Sequence, residues 1–171
     1  SRRGRRICAV LLNPSTSGGA TVSAANVERV AARLGYGRLE IANLLKIATK
    51  ESKALVGLAE DPKLWLDSRE ALTRALSQAD DLLFGWGHAP LAGAANRHKN
   101  AQTQWLLGEA QRLGHTQVWM MDGLPRHPSR WHQYVGPQRG LISGGDFASR
   151  AVSMLTLVPI QHLLAVQDPG C

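Results

Sequence analysis

Cysteine and aromatic residues are scarce in this chain of 171 residues. The two cysteines, Cys8 and Cys171, are too few for a disulfide framework or for a metal site built on cysteine. Histidines are present, but no carboxylate or cysteine stands among them at the spacing that metal ligands require. We therefore expect no metal and no cofactor, and the cysteine content favours a reducing, cytoplasmic location.

Long apolar runs are also absent. The longest, residues 151–166, is interrupted by polar residues and a proline and is too short to cross a bilayer, so we expect no membrane association. The basic start leads into a strand-like run without a small-residue cleavage site, which argues against a secretory or transit peptide. With 44% hydrophobic and 19% charged residues, the composition predicts one α/β domain, residues 7–171, after a basic N-terminal arm, residues 1–6.

The net charge of +7 is concentrated in two segments. Four arginines lie in the basic arm, and four more, with Asp146 as the only acidic residue, lie between residues 126 and 150. Such clusters attract polyanions through counterion release, which makes nucleic acid or a nucleotide the expected partner. A solubilising arm beside a solvated loop explains the same charges equally well. The sequence does not predict the oligomeric state.

Strand-like and helix-like segments alternate along most of the chain. Predicted strands cover residues 7–12, 39–45, 81–86 and 118–121. This alternation predicts a three-layer α/β/α sandwich with a mostly parallel sheet of about four strands. Beyond residue 136 the pattern does not decide, and residues 152–166 fit either a helix or a strand.

Capping residues predict where the helices begin. Ser23 is the expected N-cap of a first helix that Gly35 ends, and Asp61 with Pro62 opens a second, long helix. The segment from residue 87 to residue 100 is rich in glycine, proline and small residues, which predicts a loop. Asn100 is then the expected N-cap of a third helix.

Polar side chains follow the predicted strands. Asn13 follows the first strand, Asn43 lies in the second, Trp86 ends the third, and His127 and Ser129 follow the fourth. An open α/β sheet binds ligands in the crevice beyond the carboxyl ends of its strands. We expect the first and fourth strands to lie side by side with their polar ends facing one hollow. The set contains neither a carboxylate pair nor a phosphate-binding glycine loop with lysine.

Four ordered motifs resemble those of the uracil-DNA glycosylase superfamily. They are Leu12-Asn13-Pro14-Ser15, Ile41-Ala42-Asn43-Leu44-Leu45-Lys46, Phe84-Gly85-Trp86-Gly87 and His127-Pro128-Ser129. The chain is even more similar to a bacterial family of unknown function, DUF1643. That likeness rests on the Leu-Asn-Pro-Ser start, the Leu-Gly-Tyr-Gly turn at residues 34–37 and the Leu-Pro-Arg-His-Pro loop at residues 124–128.

The glycosylase resemblance implies an N-glycosylase, a hydrolase that breaks the bond between a base and its sugar in DNA or in a nucleotide. The implied catalytic residues are Asn13, which orients the attacking water, and His127, which donates a hydrogen bond to the base oxygen as negative charge develops there. Turn capping by Asn13 and a satisfied structural role for His127 are the plain alternatives.

The same resemblance implies residues that hold the substrate. Asn43 reads the edge of the base with its amide, and the other implied base-binding residues are Trp86, Pro14 and Ser15. Tyr36 and Trp131 compete with Trp86 for the role of stacking aromatic, and core packing is the alternative for each. The implied phosphate-binding residues are Ser129, Arg126 and Arg130.

Two further function classes stay open at this point. One is a nucleic-acid or nucleotide binding module that keeps the pocket without turnover. The other is a small-molecule enzyme unrelated to nucleic acid. Asp122, just past the fourth strand, is interpreted either as a general base or as an ion-pair partner of Arg126.

Overall fold

The computed structural model describes residues 4–14, 21–47, 52–136 and 145–165. Within these ranges five strands form one sheet: β1 Arg6–Leu11, β2 Arg38–Asn43, β3 Asp81–Phe84, β4 Gln117–Met121 and β5 Leu155–Pro159. Their order across the sheet is β2-β1-β3-β4-β5. The pairs β1–β2, β1–β3 and β3–β4 are parallel, and β5 is antiparallel to β4. The protein therefore has an α/β fold built on a mixed sheet.

β1 lies inside the sheet, between β2 and β3, and both of its faces are buried because helices pack against each side. Alternate side chains of a strand point to opposite faces. Cys8 and Val10 pack into one hydrophobic cluster, and Ile7 and Ala9 pack into another. This burial explains why the strand is a continuous apolar run rather than an alternating one.

Helices contribute to both clusters. In the described part of the chain they are α1 Val22–Arg33, α2 Ser52–Leu58, α3 Pro62–Leu66, α4 Arg69–Gln78, α5 Gly93–Arg112, α6 Trp131–Val135, α7 Phe147–Met154 and α8 Ile160–Ala165. Buried side chains of α1, α6 and α7 join the cluster around Ile7. Those of α2, α3, α4, α5 and α8 join the cluster around Cys8.

Several predicted helix boundaries were wrong. Thr21, not Ser23, caps α1, because its side chain accepts a hydrogen bond of 3.1 Å from the Ala24 N–H. Asp61 caps α3 as predicted, with 2.9 Å to the Lys63 N–H.

The long helix predicted after Asp61 is instead divided into α3 and α4. The division falls at Asp67 and Ser68, where the Ser68 N–H bonds back to the Trp65 carbonyl at 3.2 Å in a tight turn. α5 begins at Gly93, so Asn100 lies inside that helix rather than at its cap.

The arrangement of the strands also differs from the prediction. The sheet has five strands rather than about four, and the undecided segment after residue 151 contains the end of α7, β5 and α8. The expectation that the first and fourth strands lie side by side was wrong, because β3 lies between β1 and β4. Strand order depends on how the crossover helices pack, which the apolar pattern of each strand does not record.

The described part of the basic arm is bound to the sheet. Arg5 forms an ion pair with Asp81 at 3.0 Å, and the Arg6 N–H donates to the Asp80 carboxylate at 2.7 Å. These contacts lie at the start of β1 and β3, away from the carboxyl ends of the strands. The first three residues lie outside the described ranges. No described helix combines the length and the apolar character needed to cross a membrane.

Candidate functional site

The segment after β4, residues 122–130 (the β4 loop), is fixed from two sides. On one side the Gly87 N–H donates to the Pro125 carbonyl at 2.7 Å. On the other, the buried Asn26 side chain of α1 donates to the Pro128 carbonyl at 2.9 Å. The loop therefore crosses the carboxyl end of β3 and has a defined conformation.

The β4 loop approaches the end of β1 across Gly85. A Cβ atom added at Gly85 would lie 3.1 Å from Leu11 Cδ2 and 3.1 Å from Pro128 Cδ. The Leu11 and Pro128 side chains thus meet above Gly85, although β1 and β4 are not neighbours in the sheet. A glycine is needed here because a methyl group would push against both apolar groups.

Asn13 holds the turn after β1 in place. Its Nδ2 donates to the Ile47 carbonyl at 3.2 Å and to the Pro14 carbonyl at 3.3 Å, which ties the turn to the segment after β2. Asn13 therefore does cap the turn after β1, which was the structural alternative to a catalytic role. Its Oδ1 accepts no hydrogen bond from the described residues.

Asn43 and Pro14 line a cavity of about 190 Å³ beside β2, which also contacts α4. The Asn43 amide, which offers both a donor and an acceptor, makes no hydrogen bond to other described residues. Trp86 lines a different cavity. Ser15 lies outside the described residues.

His127 has a defined tautomer. Its Nδ1 accepts from the Ser129 N–H at 3.3 Å and lies 2.8 Å from Ser129 Oγ. A backbone N–H only donates, so Nδ1 carries no proton and the neutral ring has its proton on Nε2. Burial, followed by the positive charges of Arg130 and Lys99, lowers the pKa of His127 below 6.5. At neutral pH His127 therefore presents an uncharged Nε2–H donor.

The two arginines of the β4 loop have different surroundings. The Arg126 guanidinium lies 3.9 Å from the centre of the Tyr134 ring and 3.6 Å from the Asp122 carboxylate. The ion-pair interpretation of Asp122 is thereby confirmed. Arg126 is mostly buried by these contacts, whereas Arg130 is exposed and able to meet a phosphate.

Lys99 was missed by the sequence analysis and is the buried lysine of this region. It is only 6% exposed, and its Nζ donates to the Gly87 carbonyl at 2.8 Å and to the Ala89 carbonyl at 3.0 Å. No carboxylate of the described residues forms an ion pair with it. Burial lowers the pKa of Lys99 to about 8. A buried charge without a counter-charge, beside a cavity, is typical of functional sites.

A sequence signal for Lys99 exists. Ala95, Lys99, Gln102 and Leu106 follow helical spacing, and all four are buried in α5. A lysine within the buried stripe of a helix is unusual and indicates a special role. The signal was hidden because residues 87–100 were predicted to be a loop.

The cavity beside Lys99, here called the Lys99 cavity, has a volume of about 540 Å³. Apolar side chains on one part of its wall include Leu107, Met120 and Leu163, and polar side chains of α5 line another part. Trp86 also lines it and packs against Phe84 at 4.5 Å between ring centres. The volume is within the range of pockets that bind small molecules.

The other candidate stacking aromatics are part of the core. Trp131 is fully buried, and Tyr36 is buried with its hydroxyl 2.7 Å from the Asp81 carboxylate. Core packing is therefore the role of these two rings. Within the described ranges, no group of three or more histidine, cysteine, aspartate or glutamate side chains is placed to hold a metal ion.

Comparison with known proteins gives one result. The family model of the protein of unknown function DUF1643 matches residues 1–129. The chain belongs to this family, which confirms the resemblance found in its motifs. The match includes β1–β4 and ends within the β4 loop, at Ser129.

No curated protein and no solved structure matches the chain. The likeness to the uracil-DNA glycosylase superfamily and a bacterial origin therefore stay predictions.

Proposed function

We propose that this protein recognises a nucleobase and, as an N-glycosylase, hydrolyses the bond between the base and its sugar in DNA or in a nucleotide. The observation that carries the proposal is the state of His127. Its ring is neutral and its Nδ1 is occupied by Ser129, which leaves the Nε2–H as a donor on the β4 loop, next to Gly87 in the segment after β3.

This donor suits the departure of a base. As the glycosidic bond lengthens, negative charge develops on the carbonyl oxygen of the base, and a fixed donor stabilises that charge. Because its pKa is lowered, the imidazole is neutral at pH 7 and donates its Nε2–H without carrying a positive charge. Ser129 fixes the ring, so little reorganisation is needed when the bond breaks.

The remaining roles follow from groups that have hydrogen-bonding capacity to spare. Asn13 Oδ1 orients the attacking water, and Asn43 pairs with the edge of the base through its open amide. An amide takes up a proton only weakly, so the reaction depends mainly on stabilising the departing base. The exposed Arg130 holds phosphate, Ser129 orients the His127 ring, and Arg126 supports the loop through Tyr134 and Asp122.

A second function is favoured by a separate observation. The Asn13 amide nitrogen is committed to two carbonyls, and the predicted site residues include no carboxylate to act as a base. These features suit a nucleotide binding module that keeps the pocket without turnover.

One experiment distinguishes the two. Release of free base is measured by chromatography after incubation with uracil- and hypoxanthine-containing oligonucleotides and with nucleoside monophosphates. The N-glycosylase predicts release that is lost in His127→Ala and retained in His162→Ala, a matched control on the exposed His162 of α8. Binding of nucleotides without release supports the module. If the protein neither binds nucleotides nor releases a base, both proposals are contradicted. A small-molecule enzyme unrelated to nucleic acid is then the remaining function class.

A further inference from the structure

Lys99 has one ammonium proton to spare. An ammonium group has three N–H donors, and two of them are used by the carbonyls of Gly87 and Ala89. No acceptor for the third is present among the residues that the structure describes. Burying an ammonium group is costly unless an opposite charge accompanies it, so this lysine is poised to take up an anion.

The charge of Lys99 is not balanced by an acidic side chain of the described residues. The charge of Lys99 acts on His127 strongly enough to lower the pKa of that ring, and Arg130 acts in the same direction. Burial alone lowers the pKa of Lys99, and no carboxylate of the described residues acts in the opposite direction to raise it. An anion entering the Lys99 cavity therefore meets attraction that no acidic side chain of the described residues cancels.

The wall of the cavity indicates the kind of molecule that carries the anion. Leu107, Met120 and Leu163 form an apolar region, which an inorganic ion alone would leave uncovered. Asn96 and Thr103 of α5 add polar groups: Asn96 Oδ1 accepts from the Leu91 N–H at 3.1 Å, which leaves the amide NH2 of Asn96 to donate. The combination fits an organic anion with one charged end and one apolar body.

We propose that the Lys99 cavity binds a small organic anion, whose phosphate or carboxylate group accepts a hydrogen bond from Lys99 Nζ and whose apolar body packs against Leu107, Met120 and Leu163. The site is distinct from the His127 donor and does not depend on N-glycosylase activity. A nucleoside monophosphate is one member of this class of ligand, and a simple aromatic phosphate or carboxylate is another.

Binding is tested by calorimetric titration of the full chain with phenyl phosphate, benzoate, nucleoside 5′-monophosphates, the uncharged nucleosides and inorganic phosphate. Loss of one charge-assisted hydrogen bond in Lys99→Met should weaken anion binding about 10- to 100-fold. Lys63→Met, which removes an exposed lysine of α3, is the matched control and should bind as the wild type does.

A second measurement uses the wild-type protein, in case Lys99→Met does not fold. The 13Cε signal of Lys99 is followed by NMR while pH is raised, with and without phenyl phosphate or benzoate. A bound anion favours the charged amine, so the titration midpoint of Lys99 should move upward when the ligand is present.

The outcomes separate this inference from the proposed function. Lys99-dependent binding of phenyl phosphate or benzoate, without binding of any nucleotide, supports the anion site and contradicts nucleobase recognition. Preference between the two simple ligands identifies a phosphate or a carboxylate as the recognised group. Binding that is equal in Lys99→Met, binding of the uncharged nucleosides alone, or no binding with an unmoved Lys99 midpoint overturns the inference, whatever the result of the base-release assay.

Discussion

Lys99 donates a hydrogen bond of 2.8 Å to the carbonyl oxygen of Gly87, the residue whose α-carbon lies against His127. A Cβ atom added at Gly87 would lie 3.8 Å from His127 Cβ. One glycine thus binds the buried lysine through its carbonyl and lies next to the proposed catalytic histidine. The backbone after β3 is the physical link between the two proposed sites.

The first prediction concerns Gly87 itself. Its φ of +91° is a conformation that side-chain-bearing residues rarely adopt, and the space around it is otherwise sufficient. Gly87→Ala should therefore lower the free energy of unfolding by about 1–3 kcal/mol through backbone strain. Chemical denaturation measures this change. Gly108→Ala, at an exposed position of α5 with open space, is the control and should raise stability by about 0.5–1 kcal/mol. Equal effects of the two variants would contradict the account of Gly87.

The second prediction concerns the protonation of His127. Burial and two nearby positive charges lower its pKa, so an NMR titration should give a midpoint below 6.5 and nitrogen shifts of the Nε2–H tautomer. Ser129→Ala removes a donor to Nδ1 that favours the neutral ring, so the midpoint should rise in that variant. A midpoint at or above 6.5 in the wild type would show that the neutral donor is not present.

The lowered pKa of His127 also makes stability depend on pH. Between 6.5 and the lower pKa of the folded state, the unfolded chain binds a proton that the folded chain does not. His127 should therefore destabilise the folded protein as pH falls through this window. The difference in unfolding free energy between the wild type and His127→Ala, measured at several pH values below 7, tests the sign.

Lys99 gives a third prediction, in alkaline solution. Its pKa is lowered from 10.5 to about 8, so the unfolded chain binds more protons than the folded chain between these values. The stability of the wild type relative to Lys99→Met should rise as pH increases from about 8 to about 10.5. His127, whose pKa is lowered, is neutral across this window and does not mask the effect. A difference that is flat or falls with pH would mean that Lys99 titrates normally.

Asn13 supplies a fourth prediction, which separates its two roles. Asn13→Asp keeps an oxygen to orient water but loses the donor to the Ile47 carbonyl. Stability should fall by about 1 kcal/mol, while base release continues. Asn13→Ala should lose both stability and base release. If base release is unaffected in Asn13→Ala, the residue is a turn anchor alone.

The strands were the part of the fold that the sequence predicted well. The runs that became β1 and β4 are apolar because the sheet buries them, so their composition alone indicates strands. β5 was left undecided between helix and strand, since its side chains include exposed Leu157 and it stands directly between two helices and ends at Pro159. Its antiparallel direction depends on packing against β4, which lies far away in the sequence.

The candidate site was predicted in part, for a similar reason. The His-Pro-Ser motif identified His127 and Ser129, and the structure shows the contact between them. Lys99 was missed because its role depends on burial by distant parts of the chain, and because a glycine with positive φ, Gly93, begins a helix where a loop was predicted. Local composition predicted a loop here, but it does not show that tertiary packing makes residues 93–100 part of a helix.

The central claim is that the His127 Nε2–H stabilises a departing base. The most direct test is the rate of free-base release from a labelled nucleotide or oligonucleotide at pH 7, compared between the wild type and His127→Ala, with folding checked by circular dichroism. The account predicts release by the wild type and a loss of at least about tenfold in the variant. Release at the same rate by both proteins, or no release by the wild type from any tested base, would contradict it.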